Sequence, residues 1–291
     1  TLSLHDALPI CAYIIVRQLP DKPTRTGLMI KIDLDSYDYT AHSISPIRPT
    51  EGTIVERIPA RKRIRTGAPV EVPHVMVLLD DPGKTVIEPL AEAAASTRPV
   101  YEIPLMKNGG RVAAYRITSP DLLSQMVKAF GNLANKEAFS RRYDSENPFY
   151  IAIGDGNHSL AAAKAYWEDL KSSLSDAELA NHPARFAMVE AVNIYDAGIT
   201  FEPIHRLFFN IDAGKLLEHF AESGKYQRLS ADASRARVPE AGEIGFISAE
   251  EVGVIQLGTN TASETTAAAQ NAIDSVLSSV DCRIDFVHDL D

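Results

Sequence analysis

The apolar-rich residues 12–18 (AYIIVRQ) and 27–34 (GLMIKIDL), followed by polar positions, read as strands, and the PDKPTR between them reads as their turn. Residues 74–81 (HVMVLLDD) and 84–90 (KTVIEPL) read as two more strands across a Pro-Gly turn. Residues 97–118 read as a hairpin with Asn108-Gly109-Gly110 at its tip. The pattern turns helical at Ser119, an N-cap followed by Pro120 in the first turn, with Leu122, Leu123, Met126 and Phe130 on one face. Then come a strand (149–154), a helix (158–173), a short Ser-capped helix (175–182) and a strand (184–196). A helix (211–223), a hairpin (242–258), a helix (262–280) and a last strand from Arg283 follow. Residues 47–69 are dense in Arg and broken by Pro and Gly; they read as loop, with one short strand or helix around Thr53 to Ile58. No repeat is visible. Strands and helices mixed in this irregular order predict an α+β (mixed α/β) fold, one elaborated domain on a mixed sheet.

Composition adds bounds. The 291 residues are 45% hydrophobic and 23% charged, ordinary for a globular protein. No apolar run approaches the roughly 20 residues that cross a bilayer, so no membrane partner is expected. The net charge of −10 disfavours general nucleic-acid binding. Two cysteines, Cys11 and Cys282, make neither a disulfide framework nor metal-ligand spacing, and a cytoplasmic location is the expectation. The opening TLSLHDALPIC resembles translated adapter sequence, so residues 1–11 are read as a non-native leader and 12–291 as the protein proper. The terminal IDFVHDLD reads as a strand cut short, a C-terminal truncation.

Polar chemistry gathers in three places. In IAIGDGNHSL an apolar run stops at Gly154-Asp155-Gly156, and Asn157-His158-Ser159 opens a helix. A helix start favours anions, glycines allow close approach, a carboxylate such as Asp155 can hold Mg²⁺, and Asn157 and His158 can face a phosphoryl group. The bland alternative is an Asx turn with an exposed His. The stretch is not a Walker loop, since no Gly-Lys-Ser/Thr follows. The second cluster places Arg48, Arg57, Arg61, Lys62, Arg63 and Arg65 within an 18-residue span, with Glu51 as a candidate general base. Its bland alternative is a solvated basic loop. The third is His205-Arg206 in EPIHRLFFN, able to line a pocket or to be purely structural.

Taken together, YIIVRQ, RTGLMIKIDLDSYDY, IRPTEGTIVERIPARKRIR, PHVMVLLDDP, YIAIGDGNHSLAAAKAYWE and EPIHRLFF resemble the bacterial family termed domain of unknown function 1015, from about residue 12 to the end. Many members of that family carry Asp-Gly-His-His-Arg-Tyr where this chain has Asp155 to Leu160. The family's motif is similar to the phosphate site of free-serine kinases with the ParB/sulfiredoxin-like fold. Its genes often lie beside those for phosphoglycerate dehydrogenase and phosphoserine aminotransferase. The resemblance therefore implies a ParB/sulfiredoxin-like core and phosphoryl transfer on serine or phosphoserine, with ATP or ADP as donor and Mg²⁺ as cofactor. It implies Glu51, Asp155 and His158 as catalytic residues, Asp155 holding the metal and His158 stabilising transferring charge. Arg48, Thr53, Arg57, Arg61, Gly154, Gly156, Asn157, Ser159, His205 and Arg206 would bind substrate or phosphate. Ser159 departs from the motif's Arg, a charge the 57–65 cluster would replace. Two other readings stand beside this one: a hydrolase of phosphorylated metabolites, and a non-catalytic regulator that binds a nucleotide or phosphometabolite. The oligomeric state is not legible.

Overall fold

The computed structural model describes residues 11–40, 43–50, 52–70, 75–143, 146–200, 204–221, 224–230 and 239–288. Contacts divide the chain into two compact units, residues 1–200 and 201–291.

The first unit is built on a mixed sheet. Its strands are β1 (Ala12–Gln18), β2 (Arg25–Asp33), β3 (Ile47–Pro49), β4 (Met76–Leu79), β5 (Tyr101–Pro104), β6 (Arg111–Ile117), β7 (Ile151–Asp155) and β8 (Phe186–Asn193). They lie in the order β3-β7-β4-β8-β2-β1-β6-β5. β3 runs parallel to β7 and β4 parallel to β8, while the other neighbours are antiparallel. The period-two pattern sets the buried face: Ile14 pairs with Leu28 across β1 and β2, both fully buried, and Ile153 pairs with Val77 across β7 and β4, likewise buried. Leu123 and Phe130 of helix α3 (Pro120–Leu133) and Leu160 and Trp167 of helix α5 (Asn157–Lys171) join this core.

Two segments differ from the sequence reading. Residues 84–90 are not a strand. Asp81, itself buried, accepts hydrogen bonds from the Thr85 and Val86 N–H groups and turns the chain into helix α2 (Glu88–Ala95), with Pro89 in its first turn. Val86, Ile87 and Leu90 are buried, a spacing that suits one face of a helix as well as a short strand. The basic stretch is not all loop either: Ile58–Arg65 forms helix α1, with Pro59 in its first turn and Ile58 its buried residue. α1 rests on α5, where Ile58 meets Ala161 and Ala162, and small side chains permit that approach. Two short helices complete the unit, α4 (Lys136–Tyr143) and α6 (Asp176–Asn181), the latter closed by a Ser175–Glu178 capping box.

Ionic contacts pin the far end of α5. Trp167 donates its indole N–H to Asp35 Oδ1 at 2.8 Å, and Lys171 Nζ lies 2.5 Å from the same oxygen. Buried Asp33 takes Arg185 through both carboxylate oxygens. Across the sheet, Glu190 of β8 pairs with Arg17 of β1 at 3.1 Å and Arg25 of β2 at 3.5 Å.

The second unit contains a three-stranded antiparallel sheet of β10 (Lys225–Arg228), β12 (Val252–Gln256) and β11 (Glu243–Ile247), in that spatial order. A two-stranded ribbon pairs β9 (Ile204–Phe209) with β13 (Arg283–His288). Helices α7 (Ala213–Ala221) and α8 (Ala262–Ser279) supply Leu216, Phe220, Ile273 and Val276 to its core, against Phe246 and Ile255. The whole is α+β with a mixed sheet, as the pattern predicts. No helix among the described residues is long and apolar enough to cross a membrane.

Candidate functional site

β3 and β7 are neighbours and parallel, so their carboxyl ends open on the same edge of the sheet. After β7 the chain makes its turn at Gly156, whose φ of +89° is left-handed and favours glycine. A Cβ there would also approach Val75 Cγ2 to 3.0 Å. Asn157 then starts α5, and the Ser159 and Leu160 N–H groups both return to the Gly156 carbonyl at 3.0 Å. Asp155 is exposed at the strand end, Asn157 is buried, and His158 and Ser159 are half-buried.

The segment after β3 lies against this turn. Thr50 donates its hydroxyl to the Ile153 carbonyl at 2.6 Å. Four residues on, the Ile54 N–H donates to His158 Nε2 at 3.1 Å. Between them Thr53 is half-buried, and its Oγ1 is enclosed with no hydrogen-bond partner among the described residues.

The helices extend the arrangement. Ile58 packs near the start of α5 at Ala161 and Ala162, and Lys62, one turn further, pairs with Asp169 at 2.6 Å. α1 and α5 therefore run in the same direction, and both amino-terminal ends, with their partial positive charge, lie at the 154–159 edge. That direction sorts the basic cluster. Arg57, at the α1 N-cap, stays at the edge, while Arg61 lies a turn beyond and donates to the Arg57 carbonyl at 3.2 Å. Arg63 and Arg65 are carried away along α1.

Arg48 has a different occupation. Its guanidinium donates to the Ser45 carbonyl at 2.5 Å and the Asn147 carbonyl at 2.9 Å, and it lies over the Phe149 ring. Burial pulls its pKa below the ordinary guanidinium value. His205 and Arg206 sit on β9 of the second unit, where Arg206 donates to the Ile204 carbonyl at 2.6 Å and lies over Phe286. Glu51 lies outside the described residues. Among the described residues no group of three or more His, Cys, Asp or Glu side chains is placed to hold a metal ion.

Thr50 and Ile54 are parts of the site that sequence reasoning passed over. Thr50 acts through a hydroxyl whose carbonyl partner lies far along the chain, and Ile54 acts through its backbone N–H, which leaves no mark in residue type.

Fold and site thus define an α+β chain whose polar turn sits at the carboxyl ends of two parallel strands, at the start of a helix. The chain belongs to the family described as Protein of unknown function (DUF1015), whose model matches residues 6–282. No curated protein and no solved structure matches it.

Proposed function

We propose that the protein is a small-molecule phosphotransferase acting on serine or phosphoserine, with the 154–159 turn and the segment after β3 as its phosphoryl site. The observation that carries this reading is the meeting of those two segments at the ends of adjacent parallel strands, joined through His158 and Ile54. Open α/β sheets bind ligands outside the carboxyl ends of parallel strands, as β3 and β7 are, and two helix starts at one edge favour an anion.

In this reading the 154–159 turn cradles phosphate and Arg57 supplies the cation that Ser159 lacks. Glu51, next in sequence to Thr50, takes the substrate hydroxyl proton. Mg²⁺ is commonly held by one or two protein carboxylates together with substrate phosphates, so the single exposed carboxylate of Asp155 suits it. When bound, that ion would neutralise phosphate charge. ATP or ADP is the donor. The choice of serine rests on the resemblance of Asp-Gly-Asn-His-Ser to the free-serine kinase motif, and a ParB/sulfiredoxin-like core belongs to the same proposal.

The test is incubation with Mg²⁺, ATP or ADP, and L-serine, following phosphoserine by mass spectrometry. Phosphoserine should form, and Asp155→Ala and Glu51→Ala should abolish it. Phosphate released from phosphoserine without nucleotide would turn the assignment to a hydrolase. Neither product, with nucleotide binding intact, would turn it to a regulator.

A further inference from the structure

We infer that His158 is a positioning residue whose Nε2 clasps the segment after β3 at Ile54, and that this nitrogen does not face the transferring group. The functional half of this inference rests on the phosphotransferase reading; the structural half does not.

An imidazole nitrogen that accepts a hydrogen bond carries its lone pair there and no proton. Nε2 of His158 accepts the Ile54 N–H at 3.1 Å, so the ring's donor is Nδ1–H and Nε2 has nothing to donate to a phosphoryl oxygen. The ring stands on a rigid base, because Asn157, Leu160 and Ala161 around it are buried. The segment it holds is the reverse. Ile54 and Val55 are 44% and 61% exposed, so apolar burial does little to fix residues 54 and 55. Their attachment is polar, through Thr50 at one end and His158 at the other.

The clasp has an object. Thr53 precedes Ile54 in the chain, and its enclosed Oγ1 has no partner among the described residues. An enclosed hydroxyl in that condition can bond a water or a ligand oxygen, and a phosphoryl oxygen at the adjoining helix starts would supply one. Fixing Ile54 fixes Thr53, so His158 acts on the ligand through this segment.

Amide hydrogen exchange in the full chain tests the clasp. His158→Ala should speed exchange at Ile54 by about tenfold, the scale of one lost hydrogen bond, and weaken binding of inorganic phosphate. His158→Gln, whose amide oxygen can accept the same N–H, should keep both near wild type. Amides of β1 and β2 report whether each variant is folded. Unchanged exchange at Ile54 in a folded His158→Ala overturns the clasp. Slow exchange with phosphate binding lost in His158→Gln also overturns it, because the ring would then touch the ligand. The imidazole ¹⁵N spectrum of the wild type needs no variant: a proton on Nδ1 and a bare Nε2 are expected, and a proton on Nε2 refutes the inference. The exchange and ¹⁵N measurements give their answer whether or not serine is phosphorylated.

Discussion

The carboxylate of Glu190 lies against the bare α-carbon of Gly27: a Cβ added there would collide with Glu190 Oε1. The missing side chain on β2 is what lets Glu190 reach both Arg17 and Arg25. Gly27→Ala should therefore cost about 2 kcal/mol, the usual scale of overpacking, read as a lower urea midpoint. In a Glu190→Ala background the same change should cost little, and a double-mutant cycle measures the difference. Equal costs in both backgrounds would disprove the contact.

Gly156 offers a second backbone test. Its φ of +89° and the nearness of Val75 both oppose a side chain. Gly156→Ala should lower stability by about 1–3 kcal/mol and weaken phosphate binding with it, since the turn between β7 and α5 must shift. Calorimetry for the first and titration with inorganic phosphate for the second would show it. A variant as stable as wild type would mean that the turn relaxes freely.

The salt link at Asp35 predicts an acid response. Burial pushes this carboxyl up, but hydrogen bonds from Lys171 and Trp167 and the charges of Lys171 and Lys164 outweigh it and hold the pKa below 3.8. A depressed carboxyl stabilises the fold above its unfolded value and loses that contribution as pH falls through the folded one. Denaturation midpoints should therefore drop less steeply in Asp35→Asn than in wild type as pH is lowered below about 4. Parallel curves would exclude the link as a contributor.

Tyr143 predicts the alkaline counterpart. Burial and the hydroxyl's hydrogen bond to Asp80 push its pKa up to about 12. The raised value means that the neutral phenol stabilises the fold below pH 10 and that the contribution is lost as pH rises toward 12. Ultraviolet titration should show late tyrosine ionisations, since burial also raises Tyr37, Tyr150 and Tyr226, and Tyr143→Phe should remove the one near 12. An unchanged late step would place it on another tyrosine.

Much of this architecture is readable from the chain alone, for definite reasons. β1, β2, α3 and α8 carry strong periodicity, and α3 also has its Ser119 cap. The 154–159 turn is legible because glycine and a polar knot interrupt an apolar run. Helix α1 is not, because it buries a single residue on the alanines of α5 and so has no apolar stripe of its own. Residues 84–90 mislead because Val86, Ile87 and Leu90 fit either period. The partner of the turn is hidden for another reason: nothing local says that β3 lies beside β7. Arg48 shows the same limit, since a guanidinium that closes on the carbonyl of Asn147 looks in sequence like any phosphate-seeking arginine.

The pairing of β3 with β7 also sets a schedule. Thr50 and Ile153 are 103 residues apart in the chain, and Ile54 and His158 are 104 apart. Closing so long a loop has to wait for the sheet between to collapse, and distant parallel pairing is slow. During synthesis the first half of the site leaves the ribosome long before its second half exists. Until His158 emerges, the basic segment beyond β3 has no helix to rest on and no turn to meet, so the site cannot form before the chain has been made through the start of α5.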